Sequence, residues 1–501
     1  GLPVSKFLMS ISQIILLVNW LWEGDLKNKF RLFFRNTPAL VLSSLLLLHA
    51  IGLVYSDDLT YGFKDIRIKL PLLLLPLIFA SSKPISKDLF RSFLHLFLGS
   101  LCVASIISIL ILTDTLIHRK VVDIRDTSIF ISHIRFGLLV CLGVFITLYL
   151  FITTNQTFLK WIYGIYVTWL LVFLVILESM TGLSALFITI FMLIMIKGLL
   201  PQSKGLRWTR LILGISALLV MIYFYKMFSQ VHKCNPVNKY TLHERTALGN
   251  LYQHDTTNHQ VENGNLVWIN YSVKEMEESW NQRSSIKYFD KDLKGNALAA
   301  TLIRFLTSKG VTKDAAAINA LTPEEVQAVE RGEANANYQN ISSLRGRIHE
   351  ILWEIAEYRK TGDANGHSIT QRFEYWKTAY GIVKNNLLFG VGAGDVEQAF
   401  IQQYEKSNST LLPKWRLRAH NQYFSIAVGM GIIGFIWFLI TLFYPMFRLG
   451  MQSNYLYMAF FCIALVSFFT EDTLETQAGV TFYAFFNSFF LFLQPRETKE
   501  S

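Results

Sequence analysis

The sequence predicts an all-α polytopic membrane protein with about eleven transmembrane helices and a large, mainly helical extracytoplasmic loop domain. The 501 residues are 52% hydrophobic, 14% aromatic and only 17% charged, which is too apolar for an ordinary soluble chain. Apolar runs of about 20 residues also recur along the chain. A single long polar stretch at 229–415 interrupts them and is the natural place for a separate folded domain.

Each apolar run is about long enough to cross a bilayer. The first and third runs are short, and we expect them to be partial, tilted or re-entrant spans. The chain opens with Gly1 rather than Met, so we expect its natural start to be missing or processed. The runs lie at 7–22, 37–54, 68–82, 92–113, 133–153, 158–177, 183–200, 208–228, 422–443, 455–470 and 477–494.

The basic residues between the runs predict the orientation. Three connections are rich in Lys and Arg, and the positive-inside rule places them in the cytoplasm. Counting spans from them puts 229–415 outside the cytoplasm. The same clustering explains the net charge of +11 and argues against a nucleic-acid partner. The basic residues are Lys27, Lys29, Arg31 and Arg35, then Lys83, Lys87 and Arg91, then Lys197, Lys204, Arg207 and Arg210.

We therefore expect three parts. An N-terminal bundle of about eight spans covers 1–228, the loop domain covers 229–415, and a C-terminal bundle of about three spans covers 416–501. We expect the chain to lie among membrane lipids in a multi-pass arrangement.

Helix signals recur within the loop domain. Thr322 before a Pro and two Glu predicts a capped helix start. Segment 343–360 carries apolar residues at helical spacing, which predicts an amphipathic helix. Gly362 and Gly366 predict a turn before a second helix from about Ser368 to Lys384.

Several short motifs follow one another from this second helix into the ninth apolar run. Each is common alone, but their order beside a late extracytoplasmic loop is far more specific. They are Gln371-Arg372-Phe373-Glu374-Tyr375-Trp376, Asn385-Asn386-Leu387-Leu388-Phe389, Gly390-Val391-Gly392-Ala393-Gly394-Asp395, Arg416-Leu417-Arg418-Ala419-His420-Asn421, and Gly431 with Gly434.

From about Arg372 to Phe489 the sequence resembles the O-antigen ligase and O-antigen polymerase family of bacterial membrane glycosyltransferases. That family has an arginine-aromatic-tryptophan helix, a PLxGxGxG turn, and a His-Asn pair followed after nine residues by Gly-x-x-Gly. His420 and the glycines after it match that spacing. The chain departs from the pattern at Asn386, where a Pro is usual, and in the length of its loop.

The resemblance implies a metal-independent glycosyltransferase of lipopolysaccharide biosynthesis that needs no cofactor. It implies a glycan donor linked to a polyprenyl diphosphate such as undecaprenyl diphosphate, and a hydroxyl acceptor such as lipid A core. It also implies a bacterial inner membrane, with the active site facing the periplasm.

Chemical requirements point to particular side chains. A leaving diphosphate needs cations, and the planar fork of arginine suits phosphate oxygens. The candidates are Arg372, Arg135, Arg416 and Arg418. An acceptor hydroxyl needs a base that works near neutral pH, and His420 is the best placed.

Three further residues are candidates for support. Asn421 is expected to orient the histidine, and Glu471 and Asp472, in a turn shared with Glu475, are expected to orient it or to pair with an arginine. The alternative for His420 and its arginines is an interfacial cluster facing lipid headgroups, and for Arg135 a snorkelling side chain. The acids could equally form a solvated turn.

Other interpretations differ in function. The same donor chemistry fits an O-antigen or exopolysaccharide polymerase, or a protein O-oligosaccharyltransferase. A transporter or flippase for lipid-linked sugars is the alternative from another class. The glycines at 390, 392 and 394 are predicted to form a tight turn rather than a nucleotide loop, because no Lys-Ser/Thr follows them. His254, Asp255 and His259 have no trusted zinc spacing.

Overall fold

The structure, a computed structural model, describes residues 1–115, 127–197, 225–226, 241–258, 260–338 and 343–495. These residues are mainly helical, and among them two very short antiparallel strands pair, β1 Val261–Glu262 with β2 Asn265–Leu266. The predicted helical class is therefore confirmed. The chain divides into two compact units, which we call the membrane unit (1–213 with 371–501) and the inserted unit (214–370).

The membrane unit holds most of the apolar helices. Before the inserted unit they are α1 Lys6–Trp22, α2 Leu26–Arg35, α3 Thr37–Leu53, α4 Leu59–Lys69, α5 Pro71–Ser81, α6 Lys87–Leu112, α7 His133–Thr153, α8 Thr157–Ile176 and α9 Met180–Lys197. The inserted unit contributes α10 Val273–Arg283, α11 Leu298–Ser308, α12 Ala315–Asn319, α13 Pro323–Glu330 and α14 Ser343–Thr361. There follow α15 Ser368–Asn385, α16 Val396–Lys406, α17 Gln422–Arg448, α18 Tyr455–Thr470 and α19 Gln477–Ser488, which a π-helical turn Phe489–Leu493 continues.

Among the described residues, four helices are long and apolar enough to cross a membrane, namely α6, α7, α8 and α17. The helices α1 and α2 meet at an angle of 113°. They count as a fifth span if they are the two halves of one broken span. The remaining apolar runs in the described residues form shorter helices, so the count of about eleven spans stays a prediction. The predicted run 208–228 lies outside the described residues except at 225–226.

The inserted unit folds around its own apolar core. Thr322 begins α13 with a capping box, because its hydroxyl accepts from the Glu325 amide (3.2 Å) while the Glu325 carboxylate accepts from the Thr322 amide (2.9 Å). The predicted amphipathic helix at 343–360 is α14. The core side chains include Val267, Met276, Trp280, Tyr288, Leu298, Leu302, Phe305, Leu306, Ile318 and Val329.

A break in α17 positions the loop before it. Gly431 has a φ of 63°, so the helical hydrogen-bond ladder stops there. The freed backbone groups bond to the glycine turn at 387–392: the Val391 amide donates to the Val428 carbonyl (2.9 Å), and the Ile432 amide donates to the Leu387 carbonyl (2.8 Å). Buried backbone groups need such partners.

Glycine is required at this contact because the two backbones touch. A Cβ atom on Gly431 would overlap the Leu388 carbonyl, and one on Gly390 would lie 2.5 Å from the Val428 oxygen. Gly390 and Gly392 also have φ values of 72° and 96°, which favour glycine. The turn is thus a structural element that fills the break in α17.

Candidate active site

His420 lies at the entrance to α17 in an uncommon backbone conformation. Its φ of 45° lies in the left-handed region, which is uncommon for non-glycine residues. The next residue, Asn421, caps α17 by accepting from the Phe424 amide (3.2 Å) and donates to the Phe469 carbonyl (3.0 Å). Asn421 therefore fixes the backbone beside His420 and joins α17 to the end of α18.

The first group around His420 comes from α15 and the α18–α19 turn. The His420 Nδ1 atom lies 3.4 Å from a Glu471 carboxylate oxygen, and Arg372 Nη2 donates to the other oxygen at 2.8 Å. Tyr375 packs its ring 5.7 Å from the imidazole, and Trp376 donates to the Ala419 carbonyl (3.0 Å). One face of α15 thus holds the segment that carries His420.

A second group approaches the same nitrogen atom of His420. Asp472 lies 3.7 Å from His420 Nδ1 and 3.2 Å from Arg418 Nη2. Arg418 also lies 3.6 Å from Glu475 and donates to the Tyr61 hydroxyl at 2.9 Å. The Nδ1 atom of the imidazole therefore faces two arginine–carboxylate pairs, Arg372 with Glu471 and Arg418 with Asp472.

A buried ionic network lies next to the Arg418–Asp472 pair and shares Glu475 with Arg418. Lys69, at the end of α4, is fully buried and bonds to both Asp65 and Glu475, the latter at 2.8 Å. Asp65 also lies 3.0 Å from Nδ1 of the buried His49 in α3. Glu475 accepts from Gln422 as well (3.0 Å). A buried charge this far from water persists only when it is paired, so α4 and the α18–α19 turn are held together.

The two acids beside His420 differ in their protonation behaviour. Burial raises the pKa of Glu471, but the hydrogen bond and charge of His420 and the charges of Arg372 and Arg135 outweigh burial, so the pKa is lowered. Burial raises the pKa of Asp472 above its ordinary value, although Arg418 and His420 oppose that shift.

The opposing charges also act on Arg418. Burial alone would lower the pKa of Arg418, but Glu475 and Asp472 outweigh it and raise the pKa. The guanidinium of Arg418 therefore stays charged, and it is paired with Glu475 and Asp472.

These side chains line an open cavity of about 470 Å³. Of the predicted site residues, six line it directly: Arg135, Arg416, Arg418, His420, Glu471 and Asp472. Arg372 reaches the cluster through Glu471, whereas Asn421 faces backbone atoms. The predicted site residues are thus brought together by the fold.

The four predicted arginines are not equivalent. Arg416 uses its Nε atom to bond the Leu411 carbonyl (2.9 Å), and Arg418 is paired with acids. The Nε atoms of Arg372 and Arg135 are buried without a hydrogen-bond partner in the described part of the chain. Buried donors normally find a partner, so these two are the side chains with binding capacity left.

Several cavity residues were not predicted from the sequence. Tyr61, Lys64, Asp65 and Ile68 share one face of α4, and Glu397 lies on α16. The sequence feature that could have grouped the α4 residues was the helical spacing of Tyr61, Lys64, Asp65 and Ile68, in a short segment between two apolar runs. Nothing in that spacing points to a cavity more than 300 residues further along the chain.

Three side chains of the cluster are possible metal ligands. His420, Glu471 and Asp472 each offer a ligand atom, and these atoms lie within 4.8 Å of one another. Arg372 and Arg418 already neutralise the two carboxylates. A divalent cation would have to compete with both guanidinium groups for these carboxylates.

Comparison with known families agrees with the sequence motifs. Residues 314–439 match the O-antigen ligase family model. This part of the chain is similar to the O-antigen ligase family. The matched O-antigen ligase segment contains Arg372, the glycine turn, His420 and the break at Gly431, while the acids of the α18–α19 turn lie beyond it. No curated protein matches the sequence at a significant level.

Proposed function

We propose that this chain is an O-antigen ligase-type glycosyltransferase. It moves a glycan from a polyprenyl diphosphate carrier to an acceptor hydroxyl such as that of lipid A core, at the periplasmic face of a bacterial inner membrane. The observation that carries the proposal is the position of His420 beside two arginine–carboxylate pairs in an open cavity. About eleven spans, divided at 228 and 415, complete the proposed topology.

His420 acts as the general base. Because Nδ1 faces Glu471, it carries the proton, and Nε2 is left to accept one. The acceptor O–H bond breaks as its proton moves to Nε2, and the acceptor oxygen forms a bond to the anomeric carbon. The bond from that carbon to the diphosphate oxygen breaks, its electron pair leaves with the diphosphate, and the configuration inverts. Glu471 and Asp472 stabilise the protonated imidazole.

Arg372 and Arg135 bind the donor diphosphate. Both guanidinium groups act on Glu471, and both have a buried Nε atom without a partner in the described residues. A diphosphate supplies the missing acceptors and the negative charge, and the arginines stabilise that charge as it develops on the leaving group. The reaction then needs neither a metal nor a cofactor.

The test is a transfer assay in membranes that lack the native enzyme. The intact chain is compared with His420→Ala and Arg372→Ala, and lipid A core, lipid-linked and protein-linked products are resolved by gel. His243→Ala and Arg91→Ala are matched controls, because both side chains are exposed and lie outside the cavity. We expect capped lipid A core from the intact chain and the controls, and loss of roughly 10²–10⁴-fold in His420→Ala.

Other products would change the assignment. Longer lipid-linked chains would make the protein a polymerase, and glycosylated protein would make it a protein O-oligosaccharyltransferase. Unchanged transfer in His420→Ala, with normal membrane insertion, would remove the proposed base and favour a lipid-linked sugar transporter.

A further inference from the structure

The corner between α1 and α2 is fixed by buried polar contacts. The Trp20 indole donates to the Ser81 hydroxyl at the end of α5 (2.9 Å), and the Lys29 ammonium donates to the Trp20 carbonyl and to Glu23 (3.0 Å). The helix α1 is made mainly of apolar residues, which suits a path through hydrocarbon. Because α2 leaves it at 113°, α2 then runs nearly along the membrane plane.

The helix α2 has one side that faces the protein and an apolar side that does not. Lys29 and Phe33 are buried against the rest of the membrane unit. Leu26, Phe30 and Phe34 follow one another at a spacing of four residues and are exposed, and the rings of Phe30 and Phe34 are stacked with centres 6.5 Å apart. We call these three residues the apolar face of α2.

A third side of α2 lies next to the apolar face and is cationic. Lys27, Arg31 and Arg35 share this side through the same spacing of four residues, and all three are exposed. We call them the basic face. None of them forms an ion pair within the part of the chain that the structure describes. Of the nearby acids, Glu23 is paired with Lys29, which leaves Asp25 alone before the helix.

The two exposed faces together match the surface of a bilayer. A helix that lies in the membrane plane places its apolar side chains at the edge of the hydrocarbon and its Lys and Arg side chains among the headgroups. Three cations against one acid favour negatively charged headgroups, and the planar fork of arginine suits phosphate oxygens. The positive-inside rule predicts the cytoplasmic side for this segment, and anionic lipids are concentrated there.

We propose that α2 is an interfacial helix whose basic face binds the phosphate groups of anionic phospholipids while its apolar face lies at the edge of the hydrocarbon. The helix is then an anchor in the membrane surface rather than the second half of a broken span. This inference rests on the contacts of α1, α2 and α5 and is independent of the proposed glycan transfer. None of the residues of α2 lines the cavity beside His420.

The first test measures lipid binding to the full-length chain in detergent by native mass spectrometry, with phosphatidylglycerol or phosphatidylcholine added. A triple variant removes the basic face. It combines Lys27→Gln, Arg31→Gln and Arg35→Gln. A control with the same change in charge alters three exposed lysines of the inserted unit. It combines Lys274→Gln, Lys291→Gln and Lys294→Gln.

We expect the intact chain and the control to bind phosphatidylglycerol more tightly than phosphatidylcholine. The triple variant should lose roughly 10- to 100-fold in affinity for phosphatidylglycerol, with phosphatidylcholine binding unchanged. An unchanged affinity for phosphatidylglycerol in the triple variant, or an equal loss in the control, would contradict the inference. Displacement of phosphatidylglycerol by inorganic phosphate alone would show a site for a free anion and would also overturn it.

The second test measures where the two faces lie in liposomes that contain phosphatidylglycerol. A small fluorophore is attached at Phe34→Cys or at Arg31→Cys, with Cys102→Ser and Cys234→Ser in the background, because the other two cysteines are buried. We expect lipid-borne nitroxide to quench the label at position 34 and aqueous acrylamide to quench the label at position 31. Equal quenching by acrylamide at both positions would rule out the interfacial placement. Protection from both quenchers would indicate a protein interface, such as one with a second copy of the chain, and would overturn the inference.

Discussion

Two buried arginine–glutamate pairs, one in each unit, differ in how completely their polar atoms are satisfied. In the inserted unit, Glu262 accepts from Arg304 Nε (2.7 Å) and Asn335 (3.0 Å), and the Arg304 guanidinium lies 4.1 Å from the Trp353 ring centre. Each group in that pair has a partner. The pair therefore acts as a structural element of the unit.

The pair beside His420 is incomplete by comparison. Arg372 donates to Glu471, but its Nε atom is buried without a partner in the described residues, and Glu471 is shared with His420. The Glu471 carboxylate of this pair lines the cavity, and a pair with a donor left without a partner is a candidate to receive a ligand. The contrast predicts that Arg304 contributes mainly to stability and Arg372 mainly to activity.

Arg304→Ala should have the largest effect. It leaves the Glu262 carboxylate, which is 1% exposed, without its cation, and breaking a buried pair costs about 3–5 kcal/mol. The loss of stability is measured by thermal unfolding followed by tryptophan fluorescence, and by the protease sensitivity of the inserted unit. Arg331→Ala is the control, because Arg331 is 43% exposed in its pair with Glu333 and should shift stability by less than about 0.5 kcal/mol. Equal losses in the two variants would contradict the structural role of Arg304.

Arg372→Ala should lower kcat/KM for glycan transfer by about 10²–10³-fold, which corresponds to roughly 3–4 kcal/mol of transition-state stabilisation. Its thermal stability should change little, because Glu471 keeps His420 as a partner. Arg372→Lys should recover only part of the activity, since an ammonium group lacks the planar fork. A large loss of stability with activity retained would mean that this pair resembles the one in the inserted unit.

Glu471→Gln should reduce stability in a pH-dependent way. The pKa of Glu471 is lowered in the folded protein, so its stabilisation is present above about pH 4.3 and is lost as the pH falls through the folded value. At neutral pH the variant should be less stable by about 1.5–3 kcal/mol, and the difference should narrow only as the pH falls below about 4.3. Melting curves between about pH 2 and 8 test this. A constant difference across that range would rule out the lowered pKa.

Glu262→Gln should have the smallest effect and the opposite pH dependence. Burial raises the pKa of Glu262 even though Arg304 opposes it. A raised folded pKa means that the carboxyl group loses stabilising effect as the pH rises through that value. The variant should therefore lie within about 1 kcal/mol of the natural protein and gain relative stability as the pH rises. The same melting curves are recorded for Glu471→Gln and Glu262→Gln. If the stability difference from the natural protein changed with pH in the same direction for both variants, the predicted difference between the two pairs would be wrong.

Local features of the fold were predictable because they depend on neighbouring residues. The apolar run 133–153 coincides with α7, and the capping box at Thr322 forms as expected. Apolar length and cap residues act over one or two turns, so the sequence alone reveals them. The motifs that resemble those of the O-antigen ligase family, which include His420 and Arg372, could likewise be recognised from their order along the chain.

The sequence by itself determined the helical class, the apolar runs, and the family of the segment around His420. Only the tertiary structure decided which partners that histidine has. Glu471 reaches Arg372 across 99 residues, and Lys64 and Lys69 reach the site from a helix near the start of the chain. These contacts depend on how distant helices pack, and no periodicity along the chain specifies which faces will meet.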